Sequence, residues 1–179
     1  MIQTIAIDLD SVLADVMIIW IDEYNNINKT NIKKSDIIKW DIHKILPISK
    51  EKCTNLFTNV WARRWEEIPL TKKNNPKVIE DIKRKGYRIS IITKRARSTV
   101  PFVSFWLDLN KIIYDEIIFI FDDQPKMKYP FDILVDDSPD NLKNIRHPKK
   151  GIIYDQPWNR NFCGNRINSL HEIIKILDH

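Results

Sequence analysis

Two aspartates separated by one residue, Asp8 and Asp10, end a short apolar run. Carboxylates so close repel one another, and a divalent cation is the usual remedy. Hard ions such as Mg²⁺ take oxygen ligands, commonly one or two carboxylates plus phosphate oxygens of a substrate. The same pair suits phosphoryl chemistry. Asp8 can attack phosphorus in line and form an aspartyl-phosphate. Asp10 can protonate the leaving oxygen and later deprotonate the attacking water. A bare Asp-x-Asp pattern is weak, because turns and exposed loops produce it too. Its meaning depends on the element before it and on matching groups downstream.

The element before it is Ile2 and Ile5-Ala6-Ile7, a run that suits a strand buried on both faces of a parallel sheet. Ligands bind just beyond the carboxyl ends of such strands, which is where Asp8 and Asp10 fall. From Asn75 onward the chain alternates regularly. Helices are expected over 76–85 (closed by Gly86), 98–109 and 167–177, with a short helical or turn segment over 139–146. Strands are expected over 87–92, 117–121, 132–135 and 151–154. Alternation of this kind predicts a three-layer, Rossmann-like α/β fold with a parallel sheet. Thr93, Asp122-Asp123 and Asp136-Asp137 each follow a strand at once, so they gather with Asp8 and Asp10 along one edge.

The stretch between Asp15 and Pro69 shows no strand. Helical spacing runs from Val16 to Tyr24, 25–31 reads as a loop, Ser35 or Asp36 can cap a short helix ending near His43 or Lys44, and Ser49 opens a helix through Val60. About fifty residues is longer than a simple crossover needs. The expected organisation is a catalytic core of residues 1–14 and 75–179 with a small helical cap, 15–74, inserted after the first strand. Trp20, Trp40, Trp61 and Trp65 lie in or beside this insert. Tryptophans there serve first as core, although Trp61 and Trp65 could stack a flat base. Asp15 reads as a helix cap, and Arg95 and Arg97 read as solvated.

The 179 residues, 43% apolar and 30% charged, describe an ordinary soluble globular chain. A net charge of +5 allows attraction to anionic substrates. The basic residues are spread out, which favours a solvated basic surface over a nucleic-acid footprint. Cys53 and Cys163 lack metal-ligand spacing and fit free thiols in a reducing cytoplasm. No signal peptide and no membrane-spanning run is evident. A cytoplasmic location is expected.

Taken together, these residues suit hydrolysis of a phosphate ester. Asp8, the Asp10 backbone carbonyl and one of Asp136 or Asp137 would hold Mg²⁺, while Thr93 and Lys126 hold phosphate oxygens. The chain resembles the haloacid dehalogenase superfamily of phosphohydrolases over nearly its whole length. Asp8-Leu9-Asp10 matches the first motif, Thr93 the second, Lys126 the third and Asp136-Asp137 the fourth. The second Asp of the first motif marks the phosphatase branch. Within the superfamily the chain is most similar to the 5'(3')-deoxyribonucleotidases. The resemblance rests on Asp8 to Asp15, on Asp136-Asp137-Ser138-Pro139-Asp140-Asn141 and on Tyr154-Asp155-Gln156-Pro157-Trp158-Asn159. It implies Mg²⁺, a deoxynucleoside monophosphate substrate, and cap aromatics (here Trp61 and Trp65) against the base.

Asp136-Asp137 is preferred to Asp122-Asp123 as the metal pair because the Ser-Pro-Asp-Asn that follows it matches the superfamily pattern, and Lys126 to Lys128 as the phosphate lysine because of its spacing. Two departures stand out. Ser11 replaces the Gly that usually follows the first motif, and Lys94-Arg95 replace small residues and proline after the second. Lys94 is counted as a substrate-binding candidate on that ground. The alternatives at this level are another small phosphorylated metabolite, a polynucleotide phosphate end, and a non-catalytic nucleic-acid-binding module. The last is disfavoured because an acidic strand edge repels nucleic acid. A homodimer is left open.

Overall fold

The computed structural model describes residues 2–177. Its centre is a six-stranded parallel sheet of order β3-β2-β1-β4-β5-β6. The strands are β1 (Thr4–Ile7), β2 (Arg88–Lys94), β3 (Glu116–Ile120), β4 (Ile133–Asp136), β5 (Lys150–Tyr154) and β6 (Arg166–Ile167). Ile7 pairs with Ile91 of β2 on one side and with Val135 of β4 on the other. The strand order therefore reverses direction at β1. The crevice beyond the carboxyl ends opens at that reversal.

Period-two alternation sorts the strand residues between two cores. Ile5, Ile7, Ile89, Ile91, Ile133, Val135 and Ile152 face the larger one. There they pack against α3 (Asn75–Arg84), α4 (Val100–Leu109) and α6 (His171–Leu177). Ala6, Ile92, Ile120, Leu134 and Ile153 face a smaller core with Phe131 and Leu142. That second layer is thin. Its helix, α5 (Pro139–Leu142), is a single turn, the short end of the segment expected over 139–146. The three-layer α/β architecture is the expected one, and its strands fall within a few residues of the expected spans. The exception is β6, two residues with no apolar run to announce them.

Between β1 and α3 lie α1 (Val16–Asn28), α2 (Lys50–Arg63) and 3-10 turns at Lys34–Asp36, Ile42–Lys44 and Trp65–Glu67. Helix α1 runs into the asparagine-rich stretch expected as loop. Asn25 makes this work by gathering the returning chain, with its side chain bonded to Thr30 Oγ1, Ile32 N–H and the Ile32 carbonyl. Lys29 then ends the helix in the left-handed region at φ 53°. The short helix expected from Ser35 to Lys44 is instead two separate 3-10 turns. Asp36 closes the first by accepting the Lys33 N–H at 2.8 Å. Ser49 does cap α2, its Oγ accepting the Lys52 N–H at 3.2 Å.

Aromatic and ionic contacts hold this segment together. Trp20 stacks on Tyr24 and Phe57, each with ring centroids 5.4 Å away. Arg64 joins α1 to the turn after α2 through Asp22 (2.8 Å), Glu23 (3.0 Å) and Glu67 (2.6 Å). Trp106 of α4 donates to the Ile68 carbonyl at 2.8 Å and so ties the segment to the sheet's helical layer.

Candidate active site

The loop after β1 turns sharply. Ser11 adopts φ 64°, the left-handed region that favours glycine. The turn is held on both sides, since Ser11 N–H donates to Ala14 O (2.7 Å) and Ser11 O accepts from Gln156 Nε2 (2.7 Å). Ser11 thus takes a backbone conformation that favours glycine.

This turn presents Asp8 beneath a cavity of about 590 Å³, within the range of roughly 300–1,000 Å³ common for small-molecule sites. The floor is an ionic cluster. Buried Lys126 places Nζ 2.7 Å from Asp8 Oδ1 and 2.7 Å from Asp136 Oδ2. Asp136 is further held by Ser138 N–H (2.8 Å) and Asn141 Nδ2 (3.0 and 3.1 Å). Asp137 Oδ2 accepts from Trp158 Nε1 at 3.0 Å, and Asn159 Nδ2 bonds the Asp137 carbonyl at 2.8 Å. The Trp158-Asn159 turn, part of the family resemblance but with no physical role assigned from the sequence, positions the fourth-motif acid.

Burial pushes the Asp8 carboxyl up to about 7; Lys126 opposes the rise and Asp136 and Asp10 add to it. Burial, with Asp8 and Asp136 nearby, also raises Asp137 well above the ordinary carboxylate range. Burial works against the Lys126 charge, yet Asp136 and Asp8 more than offset it and hold the ammonium protonated. The cluster is thus short of positive charge. Asp8, Asp136 and Asp137 each bring an oxygen within 4.8 Å of the others. Asp137 Oδ1 is buried with no hydrogen-bond partner among the described residues. An all-oxygen set with an orphaned buried carboxylate oxygen fits a hard divalent cation. Asp136 has both oxygens engaged, so Asp8 and Asp137 are the acids free to ligate.

Asp10 stands at the cavity's edge and is not a member of that trio. Its Oδ1 accepts from Trp61 Nε1 (2.8 Å) and its Oδ2 from Arg95 Nη2 (2.9 Å). Arg95, expected in solvent, is buried. Its guanidinium lies 4.8 Å from the Trp61 ring centroid and also bonds the Thr93 hydroxyl. The sequence carries no periodic signal for this, because a lone Arg after a strand looks the same whether it turns in or out. Asp15 is a further correction. It stands at the N-terminal boundary of α1, but its side chain makes no capping bond there and pairs with Lys34 at 2.7 Å.

The remaining candidates divide. Thr93 is buried, does not line the cavity and has its hydroxyl oxygen taken by Arg95, whereas Trp61 lines the cavity. Lys94 also lines the cavity, but its Nζ pairs with Asp123 at 2.8 Å. Trp65 is not brought to the cavity and packs against Phe105, ring centroids 5.8 Å apart. Lys128 bonds Gln124, and Asp140 pairs with Lys143. Trp40, Phe57, Met17, Ile37 and Ile42 supply the apolar wall.

A parallel α/β sheet with paired acids just after β1, a hydroxyl near the end of β2 and an acid pair at the end of β4, its first member bonded to Lys126, defines a haloacid-dehalogenase-type hydrolase. Solved structures share the fold. A phosphonoacetaldehyde hydrolase-like protein from Oleispira antarctica superposes with TM-score 0.68 at 10% identity, covering 99% of this chain and 91% of that one. The HAD-hydrolase YfnB from Bacillus subtilis, solved bound to magnesium, gives 0.62 at 11% identity, covering 99% of both chains. The sequence model of the family described as 5' nucleotidase, deoxy (pyrimidine), cytosolic type C protein matches residues 1–178, and the chain belongs to that family. A 5'(3')-deoxyribonucleotidase of Clostridium acetobutylicum is 29% identical over 167 residues, 88% of this chain and 84% of the relative. A Bacillus subtilis protein of the same description is 29% identical over 168 residues, 89% and 88% of the two chains. The chain is an enzyme of the phosphoric-monoester hydrolase class. None of its described helices is long and apolar enough to cross a membrane.

Proposed function

We propose that the protein hydrolyses (deoxy)nucleoside 5'- or 3'-monophosphates through an aspartyl-phosphate on Asp8, in the cytoplasm and with Mg²⁺. The observation that carries this reading is the Asp8–Lys126–Asp136–Asp137 cluster, with Asp10 two residues on at the lip of the same cavity. Asp8 and Asp137 would hold the cation together with the Asp10 carbonyl. When bound, it neutralises the anionic cluster and draws charge from the transferring phosphoryl group.

Asp8 attacks phosphorus, the ester P–O bond breaks, and the departing oxygen takes the proton held by Asp10. Asp10 then takes a proton from water, whose oxygen attacks the phosphoryl group. Inorganic phosphate leaves and Asp8 is restored. Lys126 orients Asp8 and adds positive charge to the centre. Thr93, bonded to the cavity-lining Arg95, would supply its hydroxyl as an additional donor to the phosphoryl group. The segment 15–74 acts as a cap over residues 1–14 and 75–179. Trp40, Phe57 and Trp61 line the cavity and would offer the aromatic surfaces against which the base stacks.

The test is phosphate release from deoxy- and ribonucleoside monophosphates, sugar phosphates and 3'-phosphorylated oligonucleotides, with Mg²⁺ and with EDTA. Turnover of nucleotides that EDTA abolishes, and a loss of at least about 10³-fold in Asp8→Asn, are expected. Wild-type activity in that variant would overturn the mechanism, and turnover confined to other esters would overturn the substrate.

A further inference from the structure

Arg95 is a buried cation with an incomplete set of partners. Nη2 bonds Asp10 Oδ2 at 2.9 Å and Thr93 Oγ1 at 2.9 Å, and Nε reaches Thr93 Oγ1 at 3.3 Å. Nη1 is shielded from solvent and has no acceptor among the described residues. A buried guanidinium that only tied elements together would have its fork satisfied. An orphaned charged donor is costly and calls for a reason. The residue lines the same cavity as Asp8, Asp10 and Lys126. The charges of both Asp10 and Asp8 bear on it and oppose the fall that burial imposes. It therefore borders the cavity that a substrate phosphoryl group would enter to reach Asp8.

We propose that Arg95 is a ligand of the substrate phosphate, its spare Nη1 donor taking a phosphate oxygen while Nη2 stays on Asp10. The assignment rests on the phosphomonoesterase reading above and adds a residue to it. Guanidinium is suited to the task, since its planar fork can hold a carboxylate with one nitrogen and a phosphate oxygen with the other. Because Nη1 is covered, phosphate entry involves a pivot of the guanidinium about its Asp10 contact. The Trp61 ring supports that pivot from one side. The arrangement also places the proton-transferring Asp10 and the bound phosphate on one cation, so the acid is registered against the ester it must protonate.

The experiment is calorimetric titration of inorganic phosphate into wild-type enzyme, Arg95→Met and Arg95→Lys in Mg²⁺, with KM and kcat for dTMP and the melting temperature of each. Arg95→Met is expected to weaken phosphate binding and raise KM by roughly 10- to 100-fold. Arg95→Lys should recover part of the phosphate affinity, because a point charge replaces the fork. Unchanged phosphate affinity and KM in both variants, with only a lower melting temperature, would overturn the proposal and leave Arg95 a structural tie.

Should the variants fail to fold, the wild-type protein labelled with ¹⁵N-arginine decides. A shift of the Arg95 Nε resonance on adding phosphate is expected, and an unmoved resonance at saturating phosphate overturns the assignment. Wild-type enzyme that hydrolyses no nucleotide yet shifts Arg95 with phosphate would separate failure of the substrate reading from failure of this one.

Discussion

Trp61 Nε1 donates a 2.8 Å hydrogen bond to Asp10 Oδ1. A residue near the end of α2 thereby reaches the loop after β1 and holds one oxygen of the acid proposed to move the proton. The other oxygen is held by Arg95. Trp61→Phe keeps the ring over which Arg95 lies but removes the donor. The expected result is a fall in kcat of about 5- to 10-fold, the loss of one net hydrogen bond, with KM for the nucleotide nearly unchanged. Steady-state kinetics with dTMP checks it; a KM effect alone would place Trp61 against the base instead.

Lys126 is the buried counter-charge of both Asp8 and Asp136. Lys126→Met leaves two buried carboxylates uncompensated, and breaking such a pair costs about 3–5 kcal/mol. Asp8, already raised to about 7 by burial, rises further without the ammonium. An acid with a folded value above its unfolded one binds its proton more tightly in the native state. Stability from that proton is present at low pH and is lost as pH climbs from the unfolded value through the folded one. The destabilisation, read by urea unfolding in EDTA, should therefore be larger at pH 8 than at pH 5.

The two acids of the fourth motif are expected to separate in function. Asp136→Asn removes the charge that Lys126 and Asn141 hold, and should lower the melting temperature. Asp137→Asn removes the charge of the acid proposed to hold Mg²⁺, whose Oδ1 has no hydrogen-bond partner among the described residues. It should weaken Mg²⁺ binding by about 10-fold or more, as loss of a charged ligand does, with a smaller effect on melting. Calorimetric Mg²⁺ titration of both variants distinguishes them.

The thiols should react at very different rates. Cys163 is exposed and Cys53 is buried. Burial pushes the Cys53 thiol up to about 11, so at pH 8 only about one molecule in 10³ carries the thiolate there. A thiol reagent is expected to modify one equivalent quickly and the second slowly. Two fast equivalents would show that the wall of the cavity next to Thr54 and Phe57 opens readily.

The parallel sheet was legible because its strands are continuous runs such as Ile5-Ala6-Ile7 and Ile133-Leu134-Val135, each stopped by an acid. Burial on both faces forces that composition, and the strand end is the place where polar residues become free to act. The helical segment was less legible. Asn25 joins its helix to the returning chain through side-chain bonds that composition does not reveal, and 34–44 lacks enough apolar periodicity to fix more than separate turns. β6 escaped because two residues pairing with Ile153 and Tyr154 need no pattern of their own.

The sequence by itself determined which groups stand at the strand ends, since Asp8, Asp10, Thr93 and Asp136-Asp137 are separated from an apolar strand by a residue or two at most. Local chain geometry leaves them nowhere else to be. Only the tertiary structure decided which of them touch. Packing closed Arg95 onto Asp10, Thr93 and Trp61, turned Trp65 away toward Phe105, gave Lys126 to Asp8 and Asp136, and left Asp137 Oδ1 without a hydrogen-bond partner among the described residues. These contacts join residues far apart in the chain, and a buried charge takes whichever partner the packed core brings within reach.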